Sequence, residues 1–171
     1  MYRLNAMSHS ELYRGHEIAV HTLTHPHLET LDYETQYNEI ALDKQFLSAL
    51  AGYEAVGMAT PYGRYNDDTF RAMRACGIRY CRVDVRQTMR FDLPADPLRL
   101  SATCFHLNSD LMKLGQEFLS AQPQTDMLFY VWGHSYEIVT DEQWQYIEDF
   151  FRMMSGRDDI FYGTNREVLD L

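Results

Sequence analysis

The sequence has few cysteines and little positive charge, and each shortage excludes a class of protein. The three cysteines, Cys76, Cys81 and Cys104, are an odd number without C-x-x-C spacing. They therefore predict neither a disulfide framework nor a zinc knuckle, and we expect small buried thiols. The 15 basic residues are outnumbered by 25 acidic ones, which gives a net charge of −10. That surface repels phosphate, so we expect no nucleic-acid partner.

Long apolar runs are also missing. No stretch approaches the roughly 20 apolar residues that a membrane span requires, so we expect no membrane partner. The first residues carry no signal-peptide pattern, which predicts a cytoplasmic protein as the chain is given. An export signal upstream of a truncated start is the alternative. The length of 171 residues predicts a single domain, 1–171, with a substantial core.

Short apolar runs alternate with amphipathic segments along the whole chain. The predicted strands cover residues 17–20, 55–60, 78–85, 98–107, 127–132 and 160–163. The predicted helices are capped by Asp32, Asn66, Asn108 or Ser109, Thr140 and Asn165, and residues 10–14 are predicted to end a helix before Gly15. This alternation is typical of parallel βα units, in which active side chains follow the strands.

Two histidines, His21 and His25, come directly after the first predicted strand. If the chain enters a helical turn there, residues four apart share one face and the two imidazoles converge. Two converging imidazoles at the end of a strand are half of a zinc site. On spacing alone, a solvated pair of loop histidines is the alternative.

Three short motifs each follow a different predicted strand. They are His21-Thr-Leu-Thr-His25, Thr60-Pro-Tyr-Gly63 and Trp132-Gly-His134. In this order they resemble the motifs of the polysaccharide deacetylase family, the metal-dependent carbohydrate esterases that remove N- or O-acetyl groups from chitin-like, peptidoglycan-like or xylan-like sugars. The resemblance implies an α/β fold, a partial or distorted (β/α) barrel. It also implies an acetylated carbohydrate as the substrate.

The resemblance implies a metal at the first motif. His21 and His25 would ligate a divalent cation, usually zinc. The metal would polarise the acetyl carbonyl and lower the pKa of its bound water.

The other two motifs would supply the remaining groups. The resemblance implies that the backbone N–H of Tyr62 helps to hold the oxyanion, in a substrate groove formed by Pro61, Tyr62 and Gly63. His134 would protonate the leaving amine or alcohol as the general acid. Trp132 would line the pocket for the acetyl methyl group.

Two departures from the family pattern concern the general base. The family's Asp-Asp motif on its first strand, which supplies the base and the third metal ligand, has no counterpart in this sequence. Ala59 stands where the family carries an arginine that orients the base. We therefore expect a domain that lacks its N-terminal strand or strands. Asp84 is a candidate replacement carboxylate or a solvated loop residue, and His27 is the one other histidine close enough to replace a ligand.

Three hypotheses follow from these features. The chain is an active deacetylase that obtains its carboxylate from elsewhere, or a non-catalytic remnant that keeps some sugar or metal binding. The third is a structural role, in which a barrel with an exposed edge assembles into a homo-oligomer.

Overall fold

A computed structural model describes residues 13–84 and 86–170, and these residues form two compact units. The first unit takes residues 13–84, 96–100 and 162–170, and the second takes residues 86–95 and 101–161. Most of the predicted segment 10–14 lies outside the described residues. Among the residues that the structure describes, no helix is both long enough and apolar enough to cross a lipid bilayer. The single catalytic domain expected from the sequence remains a prediction.

The first unit contains a small parallel sheet with helices between its strands. Strand β1 (Gly57–Ala59) pairs in parallel with β2 (Tyr80–Arg82), with Met58 opposite Cys81. Single bridges add Val20 beside Met58 and Leu100 beside Arg82. The buried core includes Val20, Leu28, Ile40, Met58, Phe70, Met73 and Cys81.

Local sequence explains the helices of this unit. Helix α1 (Tyr33–Ala51) begins after Asp32, whose carboxylate accepts the Thr35 N–H at 2.8 Å. It ends at Gly52, whose φ of 74° favours glycine. Helix α2 (Asp67–Ala75) begins with a capping box between Asn66 and Thr69. A short helix, α5 (Asn165–Val168), begins with a capping box at Thr164 and Glu167.

The second unit packs two helices against a short parallel pair of strands. Strand β3 (Cys104–Phe105) pairs with β4 (Val131–Trp132), and helices α3 (Leu111–Ser120) and α4 (Asp141–Met154) follow them. The predicted capping box of Thr140 and Gln143 is present at the start of α4. The core contains Cys104, Leu111, Leu114, Ile147, Phe150 and Met154, surrounded by aromatic rings of Phe91, Phe118 and Phe129.

Several predicted strands are shorter than their apolar runs, because a strand needs a partner to pair with and an apolar run alone does not supply one. The predicted strand 98–107 is divided between the two units, with a 3-10 turn at Pro97–Arg99 and pairing only at Leu100 and at β3. The run 127–132 pairs only at β4, and residues 160–163 form no strand.

Two predicted helix caps are wrong by one or two residues. The Asn108 side chain accepts the Asp110 N–H at 2.8 Å, so it closes a turn and α3 begins after Asp110. Thr164, and not Asn165, caps the last helix.

The expectation of buried thiols is confirmed for two cysteines. Cys81 and Cys104 are fully buried, and Cys76 is half-buried. Burial raises the pKa of the Cys104 thiol to about 11 and raises the pKa of Cys81 further. Both therefore behave as small apolar side chains.

Asn66 connects two buried polar residues behind the loop that follows β1. Its Oδ1 accepts the Thr69 N–H at 3.0 Å and the Gln36 Nε2 at 3.2 Å, and Thr69 donates its hydroxyl hydrogen to Gln36 at 2.6 Å. We expect Asn66→Ala to lower the free energy of unfolding by about 1–2 kcal/mol, because the helix cap and the shared acceptor are both lost. Urea denaturation measures this. Asn66→Asp keeps the cap, and a loss equal to that of alanine would contradict the explanation.

Candidate active site

The histidine loop, residues 21–25, begins where the pairing of Val20 with β1 ends. The Val20 N–H donates to Gly57 O at 2.8 Å, and the Ala59 N–H donates to Val20 O at 2.9 Å. A parallel ladder would continue from the amide of Thr22 to the carbonyl of Ala59. The chain instead turns at Thr22, whose φ is 70°, and the regular ladder stops there.

The imidazole of His21 occupies the ladder position that the backbone leaves. Its Nδ1 lies 2.7 Å from the carbonyl oxygen of Ala59. A carbonyl oxygen only accepts, so Nδ1 carries the hydrogen and Nε2 presents a lone pair. Metal-ligating histidines are commonly held in this way by a backbone carbonyl.

His25 meets His21 through left-handed backbone and not through the helical turn that the spacing predicted. His25 has a φ of 59°, and the two ring centroids are 4.8 Å apart with their planes at 67°. Among the described residues, five non-glycine positions have positive φ, and Thr22, His25 and Tyr62 account for three of them. Strained backbone of this kind clusters at functional sites, which supports one here.

Two acidic side chains of α1 hold the backbone of the histidine loop. The Asp43 carboxylate accepts the N–H of His21 at 2.8 Å. One helical turn earlier, the Glu39 carboxylate accepts both the N–H of Thr24 at 2.8 Å and its hydroxyl hydrogen at 2.7 Å. The strained loop is therefore fixed by charged acceptors.

The role of Asp43 was not predicted from the sequence. Its signal is an acidic residue on the buried face of α1, with only 9% of the residue exposed. Burial raises the pKa of Asp43; the His21 N–H opposes that shift and the nearby charge of Glu39 adds to it. The Asp43 carboxylate thus serves as a hydrogen-bond acceptor for the backbone of the histidine loop.

The Pro61–Gly63 segment brings Tyr62 beside the histidines. It forms a 3-10 turn after β1, with Tyr62 at φ 56° and Gly63 at φ 63°. The Tyr62 ring lies edge-on to the His25 ring, with 4.6 Å between the ring centroids. It stacks on the His27 ring, with 4.2 Å between the centroids and an angle of 7° between the planes. His21, His25 and Tyr62 therefore form one cluster, and His27 joins it through its ring face.

The histidine pair fits two positions of a divalent metal site. His21 presents Nε2, and imidazole nitrogens are ordinary ligands for zinc. Within residues 13–84 and 86–170, no three His, Cys, Asp or Glu side chains are grouped so that they could hold a metal ion. Among the described residues, the two imidazoles therefore have no third potential ligand grouped with them.

The other two predicted site residues lie in the second unit. Trp132 ends β4, and His134 follows after Gly133, with its ring stacked on Tyr136 at 4.9 Å. The ring of His106 packs so closely over Gly133 that a side chain there would collide with it. The Glu137 carboxylate lies near both imidazoles, 3.0 Å from His134 Nδ1 and 3.4 Å from His106 Nε2.

The two imidazoles differ in environment. Burial lowers the pKa of His106; the charge of Glu137 opposes this shift and His134 adds to it. The side chain of His106 is 13% exposed, against 40% for His134. Burial therefore favours the neutral form of His106.

Residues 5–81, which include the histidine loop and the Pro61–Gly63 turn, match the family model "Polysaccharide deacetylase". The resemblance to the polysaccharide deacetylase family is confirmed. No curated protein matches the chain significantly.

Solved structures from carbohydrate esterase family 4 share the fold. A family 4 carbohydrate esterase from Streptomyces lividans, in complex with acetate, is 17% identical with a TM-score of 0.51, covering 88% of this chain and 69% of that one. A family 4 pseudoenzyme from Bacillus anthracis, BA3943, is 12% identical with a TM-score of 0.59. The match covers 96% of this chain and 50% of BA3943. These likenesses support the deacetylase-type α/β fold, and a barrel remains a prediction.

A third structure, the Streptococcus pyogenes deacetylase PplD in complex with acetate, is 26% identical with a TM-score of 0.43 and covers 46% of this chain. The present chain spans 35% of its length. Over these three structures, the chain thus spans between about a third and two thirds of the protein that it matches.

Asp43 can be tested independently of any ligand. We expect Asp43→Ala to lower the free energy of unfolding by about 1–3 kcal/mol, because the partly buried backbone N–H of His21 loses its acceptor. Amide hydrogen exchange of His21 should accelerate. Asp43→Asn keeps an acceptor oxygen and serves as the matched control. Equal exchange rates in the alanine variant and the native chain would contradict this anchoring.

Proposed function

We propose that this chain hydrolyses acetyl groups from an acetylated carbohydrate, as a metal-dependent deacetylase of the family it resembles. The observation that carries the proposal is the pair formed by His21 and His25 beside Tyr62, held in strained backbone. The family match over residues 5–81 includes all three.

The first unit supplies the metal ligands and the oxyanion donor in this proposal. His21, through Nε2, and His25 would hold a divalent cation, with zinc favoured by imidazole ligands. Such a cation polarises a carbonyl and lowers the pKa of bound water. The backbone N–H of Tyr62, in its left-handed turn, would hold the oxyanion, and Pro61 and Gly63 would shape the groove.

In the same proposal, the proton donor is His134. His134 would protonate the leaving amine or alcohol as a general acid, and its partly exposed ring allows access to a substrate. Trp132, whose ring lies 5.7 Å from that of His134, would line the pocket for the acetyl methyl group.

A non-catalytic deacetylase-fold protein is the second candidate. Three observations favour it: the sequence has no stretch like the T-F-D-D-G of the family's first motif, Ala59 replaces the arginine of the family pattern, and the described residues hold no group of three potential metal ligands. BA3943 is a pseudoenzyme with this fold, and a mutant of it has restored enzymatic activity. The fold of BA3943 is therefore compatible both with an inactive protein and with an active enzyme.

Zinc titration by calorimetry tests the metal site. We expect roughly one zinc ion to bind per chain, and binding to be lost in the double variant His21→Ala, His25→Ala, because both nitrogen ligands are removed. His16→Ala removes an exposed histidine from the same segment and should leave binding unchanged. Weak binding that the double variant does not alter would reject the proposed metal ligands.

Acetate release separates the two candidate functions. We expect the zinc-loaded chain to release acetate from acetylated oligosaccharides, and His134→Gln to lower kcat by about 10²- to 10⁴-fold, because the proton donor is lost. Zinc affinity should not change. A zinc-bound native chain that releases no acetate from any acetylated oligosaccharide or acetyl ester would favour the non-catalytic candidate.

A further inference from the structure

Two aromatic rings flank the imidazole of His25. The His21 ring lies 4.8 Å away between centroids, and the Tyr62 ring lies 4.6 Å away with its plane at 77° to that of His25. Edge-to-face contact is a preferred arrangement of aromatic rings, so both neighbours help to orient His25. The His21 ring is itself held by the carbonyl oxygen of Ala59. The remaining question is what holds the Tyr62 ring.

The Tyr62 ring is stacked on a second imidazole, that of His27. The two centroids are 4.2 Å apart and the planes differ by 7°. The phenol ring of Tyr62 thus contacts two imidazoles, His25 and His27, that only Pro26 separates in the chain. The His27 side chain is 55% exposed, so core burial does not keep its ring on Tyr62. The stack depends on how the backbone and the ring of His27 are held.

A 3-10 turn at Leu28–Thr30 holds His27 at its start. Leu28 is completely buried in the core of the first unit, and the Thr30 hydroxyl donates to the His27 carbonyl oxygen at 2.7 Å. The Glu29 side chain holds the ring, because its Oε1 is hydrogen-bonded to Nδ1 of His27 at 3.3 Å. A carboxylate accepts, so the ring nitrogen donates. Both the backbone and the imidazole of His27 are therefore fixed by the turn.

The same turn is joined to the chain beyond Tyr62 by a second link. The side chain of Asn66 donates from Nδ2 to the Glu29 carbonyl oxygen at 3.3 Å. Asn66 follows Tyr62 by four residues and caps the next helix, α2. The ring stack and this hydrogen bond thus join the two segments at separate points, and together they keep Tyr62 beside His27.

We propose that His27 is a positioning residue: its ring, held by Glu29, keeps the Tyr62 ring against His25 and so fixes the orientation of the His25 imidazole. His27 acts here through its ring face and not as a replacement ligand. This inference rests on the metal-binding role proposed for His25, and His27 lies outside the three motifs that carry the family resemblance.

Proton NMR of the full chain without metal tests the geometry. We expect nuclear Overhauser contacts between the ring protons of His27 and Tyr62 and between those of Tyr62 and His25, because these rings adjoin. His27→Phe keeps a flat ring and should preserve the contact of Tyr62 with His25, whereas His27→Leu should weaken it. A native chain without the contact between His27 and Tyr62 would overturn the proposal. So would a leucine variant in which Tyr62 still contacts His25 at full strength.

Zinc titration separates positioning from ligation. We expect His27→Leu to weaken zinc binding about 10-fold, the smaller effect typical of residues that orient a ligand. His27→Phe should bind zinc as tightly as the native chain, because it keeps the stack although it has no nitrogen to offer. An equal loss in both variants would show that His27 is a ligand and would overturn the proposal. Glu29→Leu should weaken zinc binding in the same direction, and Glu29→Gln, which keeps an acceptor oxygen, should restore it.

These measurements distinguish failure of the positioning role from failure of the proposed metal site. If His27→Leu loses the contact of Tyr62 with His25 but the native chain binds no zinc, the metal site fails while the positioning of the His25 ring stands. If the native chain and His27→Leu bind zinc equally tightly, the metal site stands and the positioning role is rejected.

Discussion

The candidate site depends on two carboxylates of one helix. Glu39 and Asp43, a single turn apart on α1, accept the N–H groups of Thr24 and His21 in the histidine loop. Without these acceptors the left-handed backbone at Thr22 and His25 would leave polar groups unpaired. The convergence of His21 and His25 is therefore a property of the helix behind the loop as much as of the loop itself.

The sequence predicted the parts of this arrangement that depend on local pattern. The order of βα units, the caps at Asp32 and Asn66 and the closeness of His21 and His25 all follow from short-range spacing. The anchoring of the histidine loop by Asp43 could not be predicted in this way. An acidic residue on a helix face is usually solvated, and the burial of Asp43 depends on a contact with His21, 22 residues away in the chain. The predicted strand lengths were wrong for the same reason, because strand pairing depends on partners that are distant in the sequence.

In the second unit, the sequence predicted His134 and missed its neighbours. Glu137 follows at a spacing that a short 3-10 turn closes, but nothing in the pattern distinguishes it from a solvated acid at the start of a helix. His106 comes from another strand and reaches the cluster through the pairing of β3 with β4, which places Phe105 opposite Trp132. Gly133, next to both histidine rings, is the local sign of that close packing.

The acceptor that orients His21 belongs to the main chain. Side-chain replacement at position 59 cannot delete a carbonyl oxygen, so the sequence can drift there while the His21 ring stays in place. A change that displaces the strand is needed, such as a proline at position 59, which would lose the N–H that Ala59 donates to Val20. The orientation of the His21 ring is therefore protected against most substitutions at position 59, the residue whose carbonyl it contacts.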